Sequence, residues 1–243
     1  MNMVGSPKHV SGCLAAGVDI ICAQGTEAGG HTGDVSTLVL IPAVADAVKN
    51  SDTIVVGAGG IIDGRGVAAS LALGASGVWM GTRFLASPEA NVSDSYKEAV
   101  IAATASDTVR SEIFTGRPMR TIKTPYIMDW EARTDEKRTL LASGVIPRAH
   151  DAKHEKMAAA PAADAAPKRD MSIPPGSWSD RRGVTKPLAD RAPIPAGQGS
   201  GAVTKIMPAA EIVNEVMAEL LSCIGGFKEM EIVKAVKTLQ SSL

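Results

Sequence analysis

The chain has 243 residues, 45% hydrophobic and 21% charged but only 3% aromatic, so a core must be built from Val, Ile, Leu and Ala, a palette that suits parallel strands buried on both faces. A formal net charge of −1 with no long basic run gives nucleic acid no electrostatic footprint, and no apolar run reaches the roughly 18 residues of a membrane span. Cys13, Cys22 and Cys223 are odd in number and far apart, which excludes a disulfide framework or a zinc pattern; with no signal-peptide layout at the N-terminus, the expected location is cytoplasmic.

In chain order, residues 3–5 read as the tail of a strand and residues 8–16 as a helix of small residues. The runs 18–23, 53–57 and 77–80 are short, β-branched or apolar, and bounded by glycine, so they are predicted as buried strands. Between them lie predicted helices over 38–49 and 67–73. Strands alternating with helices imply βαβ units and a parallel sheet. Residues 93–105 are predicted as a helix, 107–120 fit neither period, and 129–143 are expected to form one charged helix. The composition then shifts: 150–200 is rich in Ala, Pro, Lys, Asp and Gly and is expected to be a loop or linker. In the tail, Ile212, Val216 and Leu220 share one helical face, and Phe227, Met230, Val233 and Val236 another, with Pro208 suited to a first turn. The expected organisation is a barrel segment over 1–149, a linker over 150–200, and helices over 201–243 that pack back on the barrel.

Three glycine-rich turns follow predicted strands. The first, Gln24 to Gly33 in sequence, contains Gly29, Gly30 and His31. Adjacent glycines let a backbone approach a ligand closely, and they put His31 on a loop, where an imidazole can move a proton near neutral pH. The bland alternative is a histidine that only caps the next helix. The second turn holds Gly59 and Gly60, followed by Asp63-Gly64-Arg65-Gly66; backbone N–H groups there can hold an anion. By itself such a turn can equally serve geometry alone. The third holds Gly81 and Thr82, one βα unit later. Two such consecutive turns match the phosphate sites of parallel barrels, which use the loops after the last two strands. Arg83 can reach a phosphate, although a surface ion pair is the plainer expectation. His9, His31, His150 and His154 show no metal-ligand spacing, and no Gly-x-Ser-x-Gly elbow is present.

Residues 23–34 (AQGTEAGGHTGD), 55–86 (VVGAGGIIDGRGVAASLALGASGVWMGTRFLA) and 115–131 (TGRPMRTIKTPYIMDWE) together resemble the nitronate monooxygenase family, formerly called 2-nitropropane dioxygenases, with a weaker echo at 196–199 and 208–213. The resemblance covers residues 3–131. It implies a TIM-type (β/α)8 barrel with FMN at its mouth. It implies that Gly59, Gly60, Gly81 and Thr82 hold the FMN phosphate, that Gln24, Gly29 and Gly30 lie by the flavin, and that His31 is the catalytic base. The implied reaction takes an alkyl nitronate and oxygen to a carbonyl compound and nitrite. Two other readings stand beside it: a flavin-dependent enoyl thioester reductase, and a truncated non-catalytic fragment. The third arises because the family's first four βα units have no counterpart here. The expected architecture is therefore half a barrel, the last four βα units, with open edges prone to self-association.

Overall fold

The computed structural model describes residues 1–158 and 192–229. Its centre is a four-stranded parallel sheet built from β1 (Asn2–Val4), β2 (Ile20–Gln24), β4 (Ile54–Ala58) and β5 (Gly77–Trp79), in that spatial order. Met3 lies opposite Cys22, Cys22 opposite Val56, and Val56 opposite Gly77. All four expected strands are present, shifted by two residues at most. The connections are helical: α1 (Val10–Ala15) after a single 3-10 turn, α2 (Thr37–Val48) and α3 (Gly64–Ala72). This is an α/β fold with a parallel sheet, as the alternation of strand and helix patterns implies.

One face of the sheet is fully packed. Val4, Ile21, Ala23 and Val55 join Val10 and Cys13 of α1 and Leu40, Ile41, Val44 and Val48 of α2 in one buried cluster. Burying such a side chain contributes about 1.5–3 kcal/mol, so this layer anchors the sheet. The approach is close: a Cβ on Gly57 would stand 2.7 Å from Ile41 Cδ1. The opposite face carries Met3, Ile54 and Trp79, exposed at 44%, 46% and 48%. Among the described residues, no strand pairs with the outer edges of β1 and β5.

A second sheet was not foreseen from the sequence. β3 (Gly30–His31), β7 (Met119–Ile122) and β6 (Thr108–Ser111) form an antiparallel sheet in the order β3-β7-β6. β3 is only two residues long and glycine-rich, so it leaves no period to detect. Between β5 and β6 in the chain come α4 (Thr82–Leu85) and α5 (Asp94–Ala102), the latter capped by the Ser93 hydroxyl, which accepts from Tyr96 N at 3.3 Å.

The single charged helix expected over 129–143 is two helices, α6 (Pro125–Ala132) and α7 (Thr134–Ala142). The break is at Arg133, which has non-helical backbone angles (φ −84°, ψ 54°). Its guanidinium lies 3.5 Å over the Trp130 ring and pairs with Asp129 at 3.1 Å and Glu136 at 3.2 Å. Charge periodicity runs through this corner because both helices share it.

The linker expected over 150–200 takes a different form at both described ends. α8 (Pro147–Ala158) extends into it, and residues 159–191 lie outside the described residues. Ile194 and Ala196 are buried in a cluster with Val100 and Ile122. Ile122 N donates to Ile194 O at 3.0 Å and Ile194 N to Thr121 Oγ1 at 2.8 Å. Backbone pairing to β7 anchors this stretch, and composition does not register backbone pairing.

The last described helix, α9 (Ala209–Glu229), buries Ile212, Val216 and Leu220 against Ile61, Val67 and Ala68, as the first amphipathic face requires. Pro208 precedes the helix and its carbonyl accepts from Ile212 N at 3.0 Å. Phe227 is exposed, and Met230, Val233 and Val236 lie outside the described residues. Among the described residues, no helix is long and apolar enough to cross a membrane.

Candidate functional site

The C-terminal ends of β2, β4 and β5 open onto a cavity of about 530 Å3. Seven of the eight residues singled out from sequence line it: Gln24, Gly29, His31, Gly59, Gly60, Gly81 and Thr82. Parallel strands put their C-terminal loops on one side of the sheet, so turns 20 or more residues apart meet there. Gly30 is not in the lining; it pairs with Arg120 in the antiparallel sheet with φ +78°.

The first two turns need glycine for different reasons, and the third does not need it. Gly59 and Gly60 have φ of +102° and +70°, a region in which side chains are strained. At Gly29 the constraint is space: a Cβ would stand 2.7 Å from the Ala196 carbonyl carbon. Gly81 has an ordinary φ of −100° and a Cβ there would meet nothing within 4 Å, so neither strain nor crowding demands glycine. Among the described residues, no group accepts from the backbone N–H of Gly59, Gly60, Gly81 or Thr82. No Asp, Glu, Lys or Arg among the described residues lines the cavity. Free N–H donors in a cavity without carboxylates form a concavity that can take an anion. Ile61, Ile62, Trp79 and Leu85 give the wall an apolar part.

His31 stands at the rim, between this cavity and a second of about 540 Å3 that shares Met3, Gln24 and His31 with it. Gln24 Nε2 donates to the His31 carbonyl at 2.7 Å, so one expected site residue holds the backbone of another. The imidazole Nε2 is 2.8 Å from Thr115 Oγ1. Burial pushes the Cys22 thiol up to about 11, which keeps it protonated and takes it out of nucleophilic chemistry near pH 7.

Several residues that shape the site escape a reading of the sequence. Residues 194–199 form a strap across its wall. Tyr96 Oη donates to Pro195 O at 2.7 Å, Gly197 N to Thr82 Oγ1 at 2.9 Å and Gln198 N to Glu27 O at 2.9 Å. Burial pushes the Tyr96 phenol up to about 12, so it remains a donor. Glu27 accepts from Thr37 N at 2.9 Å and Thr37 Oγ1 at 2.7 Å, tying the first turn to the start of α2. Arg120 is buried; burial and the neighbouring Arg110 lower its pKa against the pull of Glu27. Its Nε donates to Thr26 O at 2.9 Å, which fixes the same turn from the other side. The weak echo at 196–199 was the one available signal for the strap.

Arg83 makes the ion pair expected of it, with Glu215, but from a buried position. It is buried rather than at the surface, faces α9, and lies 3.5 Å from Glu215 and 3.4 Å from Met207 Sδ. It does not line the cavity. The helical turn that begins at Thr82 turns the next side chain away from the opening. Among the described residues, no group of acids, histidines and cysteines could hold a metal ion.

Fold and site together define an α/β protein that offers a ligand cavity at the C-terminal ends of parallel strands, walled by glycine turns. The chain belongs to the nitronate monooxygenase family, whose profile matches residues 1–219. It is 52% identical over 129 residues to a Mycobacterium tuberculosis protein named as a monooxygenase, a match covering 53% of this chain and 34% of that one. It is 46% identical over 128 residues to a hydroxy-methyl-oxo-octahydroindene carboxyl-CoA dehydrogenase of Rhodococcus jostii, covering 53% and 35%. The matched segment thus spans about a third of these relatives. Among solved structures, FabK from Thermotoga maritima superposes with a TM-score of 0.69 at 30% identity, covering 93% of this chain and 62% of that one. Nitroalkane oxidase from Streptomyces ansochromogenes gives 0.63 at 26% identity, covering 93% and 58%.

Proposed function

We propose that this chain carries the phosphate-binding turns and the catalytic histidine of an FMN-dependent oxidoreductase that converts alkyl nitronates and oxygen to a carbonyl compound and nitrite. One observation carries the reading: His31 stands at the rim of a cavity whose floor offers the unpaired N–H groups of Gly59, Gly60, Gly81 and Thr82. In this reading the four parallel strands are one half of an eight-stranded barrel, and the mouth of that barrel is the cavity. Family membership and the likeness to nitroalkane oxidase support it.

The residues fit FMN. A dianionic phosphate suits free amides in a wall without carboxylates, and a flat ring system suits the apolar span of Ile61, Ile62 and Trp79. Bound there, FMN supplies the electron acceptor for substrate oxidation. The protein's own part is positional. Gln24 holds the main chain of His31, the strap closes one wall against water, and His31 takes the α-proton from a neutral nitroalkane.

The test is reconstitution. Protein incubated with FMN and passed through gel filtration retains a flavin spectrum and releases nitrite from a nitronate; colourless, inactive protein overturns the reading. His31→Ala slows turnover of neutral nitroalkanes more than of preformed nitronates, and equal loss on both removes the proton-abstraction role. A second reading, flavin-dependent reduction of an enoyl thioester, draws on the likeness to a relative named for an acyl-CoA substrate. Anaerobic mixing with NADH separates the two, because rapid bleaching of the flavin favours the thioester reaction.

We further propose that the open edges and the exposed Met3, Ile54 and Trp79 drive self-association in the isolated chain. Gel-filtration mass that rises with concentration supports this, and tight FMN binding by a stable monomer contradicts it.

A further inference from the structure

We propose that Thr115 is a positioning residue for His31: its hydroxyl holds the imidazole as the Nε2–H tautomer and leaves Nδ1 as the open proton-accepting atom. The inference rests on His31 being the base of the proposed reaction.

The contact spans 84 residues of sequence and is set by the backbone on both sides. His31 pairs with Met119 in the antiparallel sheet, and Thr32 N donates to Pro118 O at 3.3 Å. That pairing brings the loop between β6 and β7 against the imidazole. The loop is itself constrained. Gly116 takes a φ of +71°, and its N–H donates to Glu112 O at 2.8 Å. Thr115 Oγ1 accepts from Arg117 N at 3.4 Å and donates to Arg117 O at 3.3 Å. Thr115 therefore does not reach His31 as a free rotor. It sits on a turn that presents Oγ1 2.8 Å from Nε2.

A hydroxyl has one proton to give and can accept in addition. Two arrangements satisfy the short contact. If Thr115 gives its proton to Nε2, the neutral ring must carry its own proton on Nδ1, and no lone pair is left to act as a base. If Thr115 gives its proton to the Arg117 carbonyl, Oγ1 accepts from Nε2–H, and Nδ1 keeps a free lone pair. Only the second arrangement makes a base of His31. It also lets the imidazolium formed on proton uptake keep its hydrogen bond, because Nε2–H is a donor in both charge states. Gln24 engages the His31 carbonyl and not the imidazole, so it does not compete for this role.

The test reads the tautomer directly. In protein with 15N-labelled histidine, the His31 pair of ring resonances is identified by its loss in His31→Gln. The expected wild-type pattern has Nε2 protonated and Nδ1 pyridine-like. Thr115→Ala, which removes the hydroxyl without adding bulk, mixes the tautomers, and Thr115→Ser restores the wild-type pattern. A wild type with Nδ1 protonated overturns the proposal, as does an unchanged tautomer in Thr115→Ala. In the FMN-loaded enzyme, Thr115→Ala lowers kcat for neutral nitroalkanes about tenfold, with KM within about twofold. Preformed nitronates, which need no deprotonation, are turned over as before, and equal loss on both substrates overturns the proposal. The resonance measurement needs no flavin. Absence of nitrite production from wild type would therefore count against the proposed function while leaving the tautomer result to stand or fall separately.

Discussion

The two faces of the parallel sheet are built from the same strands and meet different fates. On one, Val4, Ile21, Ala23 and Val55 disappear under α1 and α2. On the other, Met3, Ile54 and Trp79 stay about half exposed, and the end of that face widens into the ligand cavity. In a strand, successive side chains alternate in direction, so each strand supplies both faces at once. The packed face holds the sheet together, and the open face borders the cavity. This division of labour suits a parallel sheet because the helices, and with them most of the buried area, lie on one side.

The sharpest way to break the comparison is to cut the packed face. Leu40→Ala removes a fully buried side chain between α2 and the sheet and is expected to cost about 2–5 kcal/mol in urea unfolding. A cost below about 1 kcal/mol would mean that the helix layer is not the anchor.

Gly29→Ala comes next. Its Cβ would press on the Ala196 and Gly197 backbone, forcing the strap outward. The expected cost is about 1–3 kcal/mol, together with faster proteolytic cleavage near residues 194–199. Gly81→Ala is its control on the open side. Nothing lies near the new methyl, so stability is expected to hold within about 0.5 kcal/mol while FMN retention falls. Loss of stability there would show that the third turn is structural.

Asp63 gives a smaller effect with a pH signature. It caps α3, its side chain accepting from Gly66 N at 2.9 Å, and Asp63→Ala is expected to cost about 1 kcal/mol. Desolvation works to raise its pKa, but the Gly66 N–H bond and the Arg65 guanidinium outweigh it and hold the carboxyl below its ordinary 3.8. A depressed folded-state pKa means the contribution is complete above the unfolded value near 4 and is lost as pH falls through the lower, folded value. The wild-type and Asp63→Ala unfolding curves should therefore converge in acid, and a constant gap from pH 7 to below pH 3 would contradict the assignment. The smallest change is expected for Trp79→Ala in dilute protein, where the open face meets only water, within about 0.5 kcal/mol. At higher protein concentration the loss should grow, because the proposed self-association covers that face, and a loss independent of concentration would contradict it.

Much of the parallel layer was legible because its signals are local. The inner strands β2 and β4 carry short β-branched or apolar runs, each turn its glycines, and α9 its 4-residue spacing of Ile212, Val216 and Leu220. Arg83 was misplaced because its direction depends on α9, more than a hundred residues later. The 194–199 strap was hidden for a related reason. Its anchors are backbone groups bonded to Thr121, Thr82 and Glu27, and a segment of Pro, Ala and Gly gives no side-chain pattern from which to infer them.

What the sequence determined by itself was family, the order of βα units and the residues that meet at the C-terminal ends of the strands. These follow from periodicity, glycine placement and motif strings that can be read within a window of a few residues. Only the tertiary structure decided what surrounds His31. A two-residue strand pairs with β7, that pairing carries Thr115 to the imidazole, and the strap closes the wall beside Gly29. Contacts between residues so far apart depend on how separate elements pack, and local pattern does not encode that packing.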